Sequence, residues 1–506
     1  MDMSLAIAPG VDLPSHPVEL RQPEELPKPS GVRPSNADTL AATDVPLLPP
    51  SAKPNEEQKF NEDRGEVRPI DLPTALHLAD ARNPLVGYTR EQVRQAYAKL
   101  ERADVLWLPS IRAGAGYNHH DGSIQDVDGT QIDTSRNAFY SGLGASTFAG
   151  GAPIVPGVWA NFQLADAIFQ PLAAQQQVGA RRAAAGAALN DTLLQVAQAY
   201  LELLRAYQDL AIAQETEQHA QALDDVTHKY AEAGEGLQSD ADRAATELSL
   251  RKNNVVRATE SIAVTSARLA QLLHLNPALQ FDPIEPIVTP LDLTPEQDSA
   301  DSLIAQALSA RPELAEAQHL VCEAIARWKR EKYAPFVPSV MLGVSDGGMT
   351  AGKNTDYAAG QNRLDMDAIA YWELRNLGFG DQAAQRDARS AVDQSRWRQI
   401  EVMDLVAREV TESQVQVRAR RDQIKIAEEG VKVAVRSYQL NIDRIEQAKG
   451  LPIEALQSLQ ALDQARREYL RSVIDYNTAQ FTLLRALGWP DGPSIANHIA
   501  DASDTR

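Results

Sequence analysis

The most regular stretch of apolar positions runs from Val178 to Leu275, almost free of proline. Leu189, Leu193, Val196, Tyr200, Leu203, Tyr207 and Leu210 follow one another at alternating spacings of four and three. That is a heptad seam, and it calls for a partner helix along its length. The pattern pauses once, at Glu232-Ala233-Gly234-Glu235-Gly236, and then resumes. At 1.5 Å per residue the arm from Val178 to Ala231 is about 80 Å long, well beyond an ordinary globular helix.

The rest of the chain alternates helical and strand patterns. Residues 1–68 are proline-rich and polar, without sustained periodicity, and read as a tail. A helical pattern from Leu72 to Trp107 breaks at Asn83-Pro84 and stops at Leu108-Pro109-Ser110. A short strand is expected over about 111–118, then a polar, Gly-rich loop over 120–157 with an inner strand near Phe139–Thr147. The even spacing of Phe162, Leu164 and Ile168 predicts a second strand over about 159–169, with Pro171 opening the long helix. After a proline-punctuated linker the order recurs. A helix from Leu303 to Tyr333 breaks at Arg311-Pro312, strands are expected over 339–346 and 363–374, and a hairpin spans 380–488 with its break at Lys449-Gly450-Leu451-Pro452. Gly236-Leu237 aligns with Gly450-Leu451, and Leu272-Leu273-His274 then falls on Ala486-Leu487-Gly488. An internal duplication is the strongest organisational signal. It divides the chain into a tail (1–68), two repeats (69–295, with its hairpin over 171–275, and 296–490) and a C-terminal tail (491–506).

Composition narrows the function. A net charge of −20 argues against nucleic acid as a partner, since phosphate neutralisation needs a basic face. One cysteine, Cys322, excludes a disulfide framework or a multi-Cys metal site, and its helical neighbours predict a buried structural thiol. No run approaches the roughly 18 apolar residues of a transmembrane helix. The start, MDMSLAIAPG, shows neither the basic and apolar regions of a signal peptide nor a cysteine for a lipid anchor. Four strands cannot close a barrel, and open edges are not tolerated in lipid. Both the strand edges and the unpartnered helix seams are satisfied if three copies build one twelve-stranded barrel continued by a hollow helical cylinder. The expected fold class is therefore an α+β membrane channel, mainly α, with long antiparallel coiled-coil hairpins.

The duplicated plan resembles the TolC-like outer-membrane efflux protein family over about residues 70–490. The marks are Asn83-Pro84 and Arg311-Pro312-Glu313-Leu314, the Leu-Pro-Ser and Val-Pro-Ser strand openings, the run Trp372-Glu373-Leu374-Arg375-Asn376-Leu377-Gly378-Phe379-Gly380, and the terminal Leu487-Gly488. The resemblance implies a homotrimer in the cell outer membrane with its helical part in the periplasm. It implies a passive exit duct without cofactor or catalysis, docked at its tip to a periplasmic adaptor (membrane fusion) protein. That adaptor connects to an inner-membrane pump of the resistance-nodulation-division (RND) or ABC class. Drug or metal efflux and type I protein secretion fit it equally, and a soluble coiled-coil scaffold is the alternative from another class.

On this reading the hairpin breaks form the adaptor-docking tip: Gly234, Gly236, Leu237, Ser239, Gly450 and Leu451. The family places an acid six residues after the tip glycine. Asp242 keeps that spacing from Gly236, with Asp240 nearby, whereas Leu456 stands six residues after Gly450 and the nearby acid is Glu454. Asp240, Asp242 and Glu454 are the pore-gate candidates; alternatively Ser239 and the acids cap the returning helices. Tyr117, Trp159, Phe162, Phe169, Tyr371 and Trp372 are candidates for a membrane-interface girdle in contact with outer-membrane lipid. His119-His120-Asp121 lacks supporting metal ligands, and Gly142-Leu143-Gly144 lacks the Lys-Ser/Thr of a phosphate loop.

Overall fold

The computed structural model describes residues 46–51, 53, 67–108, 110–112, 114–125, 127–142, 158–234, 236–294, 299–351, 361–447 and 450–489. Helices α1 (Leu72–Arg82) and α2 (Pro84–Asp104) follow the short strand β1 (Val67–Ile70). Asn83 separates them, and Pro84 takes the first helical position, where its missing N–H costs nothing. The Asn83 side chain accepts from Leu85 N at 2.8 Å and donates to the Leu272 carbonyl at 2.8 Å, joining two helix ends.

Strands β2 (Ser110–Arg112) and β3 (Gly114–Gln125) are followed by β4 (Gln131–Gly142) and β5 (Val158–Gln163). The long helix α3 (Leu164–Glu232) returns as α4 (Gln238–Leu272), and β6 (Gln280–Pro283) pairs in parallel with β1. The second half comprises α5 (Ala300–Ala310), α6 (Pro312–Tyr333), β7 (Ser339–Ala351), β8 (Gln361–Tyr371), α7 (Phe379–Glu446) and α8 (Pro452–Ala486). Helices α3 and α7 have 69 and 68 residues, about 100 Å each, and α4 and α8 have 35 each. The fold is mainly helical.

The larger sheet is antiparallel throughout and is organised on β7. One edge of β7 pairs with β5 from Ser339 to Val344 and with β4 from Asp346 to Ala351; β8 covers the other edge. Strands β2 and β3 pair in turn with β5 and β4. The sheet is therefore four strands wide. Among the described residues, the outer edges of β2/β3 and of β8 are unpaired.

Several expectations are corrected. The loop expected over 120–157 contains the upper part of β3 and all of β4. Their Asp, Ser, Thr and Gln residues carry no apolar alternation, so nothing in hydropathy marks them as strand. The part of the expected inner strand beyond Gly142 lies outside the described residues. The strand expected over 159–169 stops at Gln163, and residues 164–170 are helical. A short apolar run with even spacing fits either period. Helix wins because it turns Asp166 and Ala167 inward and lets Asp166 meet Arg330 of α6 at 2.5 Å. Pro171 accordingly lies inside α3 rather than opening it. Strand β8 ends at Tyr371, before the expected Leu374, and β7 extends through residues expected to be loop. Cys322 is exposed, because α6 buries the stripe Leu314, Ala317, Glu323 and Ala326, and Cys322 lies off it.

The heptad seam of α3 is buried from Leu193 to Leu210, but its partner is only partly a helix. The hydroxyls of Tyr200 and Tyr207 donate to the carbonyls of Ile70 and Phe281, in the β1/β6 pair. The proline-punctuated linker then crosses to α8, where Asn477 accepts from Leu291 N at 2.8 Å and donates to the Thr289 carbonyl at 2.9 Å. Prolines prevent this strap from becoming a helix and leave its carbonyls free for side chains of the helices beneath.

Charged side chains join the second repeat to the first. Arg311, buried between α5 and α6, donates to Glu313 at 2.7 Å and also pairs with Glu409 of α7. Arg485 of α8 donates to the same Glu409 at 2.7 Å, to Glu313 at 3.0 Å and to Asp191 of α3 at 2.8 Å. Four helices thus share one cluster of two arginines and three carboxylates.

Both return helices end on a left-handed residue. Gly488 has φ +94 and closes α8; its counterpart His274 has φ 52 and closes α4. A Cβ at Gly488 would stand 3.0 Å from the backbone carbon and oxygen of Ala310. Gly488→Ala is therefore expected to cost about 1–3 kcal/mol, from backbone strain and overpacking. His274→Gly should be neutral or stabilising. Thermal unfolding followed by helical circular dichroism compares the two, and equal small effects would show that the Ala310 contact yields freely.

Candidate functional site at the hairpin tips

Both hairpins reverse in the same way. Gly236 N donates to the Tyr230 carbonyl and Gly450 N to the Arg444 carbonyl, each at 2.9 Å. A Cβ on Gly236 would approach Tyr230 at 3.1 Å, and one on Gly450 would approach Ile445 N at 3.0 Å. Close backbone approach is the reason for glycine at both positions. Gly234, with φ +77, supplies the left-handed residue of the first turn.

The returning helices α4 and α8 begin with Leu237 and Leu451 at the N-cap, without a side-chain cap. Ser239, Asp240 and Glu454 therefore do not cap them. Asp240 and Glu454 lie in the first turns, favourable for an acid, and pair with Arg243 at 3.4 Å and Arg444 at 3.0 Å. Asp242 is exposed and accepts from Gln238 at 3.2 Å. Leu237 and Leu451 are 68% and 59% exposed, an equivalent pair of apolar side chains at the two turns.

The fold brings the two tips together. Leu223, Ile445, Ala455 and Leu456 form one buried cluster, flanked by Val226, Tyr230 and Ile442. A cleft of about 420 Å³ separates the first turns of α4 and α8, with Asp242 and Arg243 facing Ile453 and Gln457. Away from the turns, a network of buried charges ties α3, α4 and α8. Arg251 donates to Glu247 at 2.7 Å and to Asp463 at 2.6 Å; Arg467 donates to Asp463 and to Asp209, each at 3.0 Å. Arg466 pairs with Glu215, which also meets His219 at 3.5 Å. Burial alone raises the Glu215 carboxyl, but hydrogen bonds and charge from His219 and Arg466 outweigh it and hold it below its ordinary value. Burial likewise pushes Asp209 up, and there Arg467 and Arg205 only partly offset it. The sequence reading missed this network, since i,i+4 spacing of charges on a helix looks the same whether it is solvated or buried.

Asp463 accepts from two arginines in this network, so Asp463→Asn is expected to cost about 3 kcal/mol by leaving Arg251 without its second carboxylate. Asp240→Asn, at an exposed local pair, should cost under about 1 kcal/mol. Urea titration of the two variants measures the difference.

At the other end of the helices, exposed aromatic residues gather where the strands meet the helices. Phe169 stacks on Tyr333 with ring centroids 6.0 Å apart, Tyr371 and Trp372 are exposed at the end of β8, and Phe162 is half-buried on β5. Tyr117 and Trp159 are placed by register, opposite Phe139 and Gly343. Trp107 and Phe336, exposed immediately before the Leu-Pro-Ser and Val-Pro-Ser openings, were not singled out from sequence, although their repeated position was the available signal. Leu342, Val344, Leu364 and Met366 are exposed on β7 and β8, Val344 lying beside Met366. Between β8 and α7, Asn376, Leu377 and Gly378 adopt successive positive φ values of 49, 59 and 88. The first repeat passes from β5 to α3 without such a linker.

A sheet with an exposed apolar face, continued by two helical hairpins of equal length, is the geometry with which the comparisons agree. Residues 303–489 match the family described as outer membrane efflux protein. The resemblance seen in the sequence holds. The chain is similar to the outer membrane protein VceC from Vibrio cholerae, with a TM-score of 0.67 at 16% identity, covering 82% of this chain and 96% of that one. It is similar to the CmeC outer membrane channel of Campylobacter jejuni, with a TM-score of 0.67 at 14% identity, covering 90% and 98%. It is also similar to the open state of the Neisseria gonorrhoeae MtrE outer membrane channel, with a TM-score of 0.62 at 16% identity, covering 82% and 88%. No curated protein matches the sequence. The fold of these outer membrane channels thus spans both repeats, while the family match itself lies in the second. Among the described residues no helix is long and apolar enough to cross a membrane, and no group of three or more His, Cys, Asp or Glu is placed to hold a metal.

Proposed function

We propose that three copies of the chain assemble into an outer-membrane exit duct that carries solutes passively from the periplasm outward. The observation that carries this reading is the sheet. Its β7/β8 face exposes Leu342, Val344, Leu364 and Met366 to the surroundings, while its two outer edges lack partners among the described residues. In lipid such edges must be closed, and three four-stranded sheets make a twelve-stranded barrel. The aromatic residues where the sheet meets the helices then lie at the periplasmic interface, and the hairpins extend about 100 Å beyond it. A soluble scaffold gives no reason for the apolar sheet face.

The tip is the docking end. Leu237 and Leu451, exposed at equivalent turns, offer apolar contacts to a periplasmic adaptor protein, through which an inner-membrane pump of the RND or ABC class drives export. Of the three acids proposed for the gate, Asp240 and Glu454 are engaged by Arg243 and Arg444, so Asp242 is the one free to face permeating ions.

Planar-bilayer conductance of the purified protein tests the proposal. Stepwise single-channel currents are expected, with cation preference reduced by Asp242→Asn and unchanged by Glu454→Gln. A protein that inserts no channels and stays monomeric without detergent would overturn the duct; unchanged selectivity in Asp242→Asn would overturn only the gate.

A further inference from the structure

Just below the sheet, the helical wall encloses a cavity with a chemistry of its own. Helix α3 packs against α2 and α6, and α6 against α7, so the four helices stand in a row. A cavity of about 1090 Å³ is lined from all four, from Lys99 on α2 to Asp387 on α7. A single row can offer one cavity to both of its end helices only on its concave face. In a cylinder built from three such rows, that face turns to the axis. Gln163, the last residue of β5, and Arg375, shortly after β8, line the same cavity. It therefore lies where the helices give way to the strands.

The balance of charge here is opposite to that of the chain as a whole, whose net charge is −20. Five cations line the cavity, Lys99, Arg102, Arg327, Arg330 and Arg375, against the carboxylates of Asp166, Glu323, Glu331 and Asp387. Three of those carboxylates are already engaged. Arg330 meets Asp166 at 2.5 Å and also pairs with Glu331, Arg375 meets Glu331 at 2.6 Å, and Arg327 meets Glu323 at 2.5 Å. Lys99 and Arg102 stand three residues apart on α2, side by side on one face of the helix. Both are exposed, and neither is paired with a carboxylate among the described residues. At the other end of the row, Asp387 is the one lining carboxylate without a bonded cation among them.

Much of the remaining wall is apolar and small. Ala173, Ala324, Ala388 and Ala391 leave the space open, and Leu106 and Phe169 border it. Apolar walls with a few placed polar groups, around a space of about 300–1,000 Å³ or somewhat more, are the usual form of a small-molecule site. Two free cations at one end select an anionic group. The alanine-lined remainder has room for an apolar body, which a bare inorganic ion does not need.

We propose that this cavity is a lumenal binding site for amphipathic organic anions. Lys99 and Arg102 meet the anionic group, and the alanine-lined wall receives the apolar body. Asp387 sets the far end against a second negative charge. The proposal rests on the trimeric-duct reading and names a class of solute that the duct holds on its way into the barrel.

Block of single-channel current in planar bilayers tests it, with naphthalene-1-sulfonate as the probe and 1-naphthalenemethanol as its neutral control. The sulfonate is expected to reduce the current through the full-length protein reversibly, and the alcohol far less. Lys99→Gln combined with Arg102→Gln should raise the half-blocking sulfonate concentration about tenfold. Asp387→Asn should lower it about twofold. Ala391→Trp, which fills the cavity without changing its charge, should weaken block as the double variant does. Conducting channels in which the double variant is blocked as strongly as wild type, or in which the neutral alcohol blocks equally well, would overturn the site and leave the duct standing. A protein that inserts no channels and stays monomeric without detergent would overturn both.

Discussion

Replacing Arg311 with alanine is expected to lower the stability of the helical part by about 3 kcal/mol. Arg311 is only 3% exposed and meets Glu313 and Glu409, while Arg485 reaches the same two carboxylates and Asp191. Its removal leaves two partly buried acids sharing one arginine, and the like charges no longer cancel. Acid should reveal the same interaction. Burial alone raises the Glu313 carboxyl, but hydrogen bonds from Arg311 and its own backbone N–H, with the charges of Arg311 and Arg485, hold it below its ordinary 4.5. Because the folded-state value is depressed, this contribution is complete above pH 4.5 and is lost as pH falls through the folded value. Wild-type protein should therefore lose stability more steeply than Arg311→Ala below pH 4.5, where the variant keeps only the smaller share that Arg485 and the backbone N–H supply. Thermal unfolding at stepped pH measures both effects; parallel curves would show that Arg485 alone secures the cluster.

Val344→Arg is expected to cost about 2–4 kcal/mol if the residue lies near the bilayer midplane, and less towards an interface. Val344 sits within β7, between β5 and β8, with its side chain on the exposed face beside Met366. Water would accept an arginine there at almost no cost, whereas lipid would not. The readout is recovery of heat-resistant trimers from the membrane fraction, with Val344→Thr as a shape control. An arginine variant that assembles as well as the threonine variant would remove this face from lipid.

The fold was legible where the sequence repeats itself. Asn83-Pro84, Arg311-Pro312, Gly236 and Gly450 mark helix ends through backbone chemistry, which is local and survives in any context. Residues 164–170 were misread because a short apolar run satisfies both periods, and only the Asp166–Arg330 contact across to α6 decides between them. Strand β4 was anticipated only at its end, in the inner strand expected near Phe139–Thr147, because Gln131 to Ala138 carry no apolar alternation to read. The candidate tip was located from its glycines, but the capping roles suggested for Ser239 and Asp240 fail, since Leu237 takes the cap position.

By itself the sequence determined the breaks between the helices and the twofold repetition, because these follow from periodicity, proline and glycine within a few residues of each other. It could not say which surfaces meet. That the two tips share one apolar cluster and that Asp463 bridges arginines of α4 and α8 were decided by the tertiary structure alone. The physical reason is that a charge or a leucine on a helix surface acquires its energy only from what another segment, hundreds of residues away, places against it.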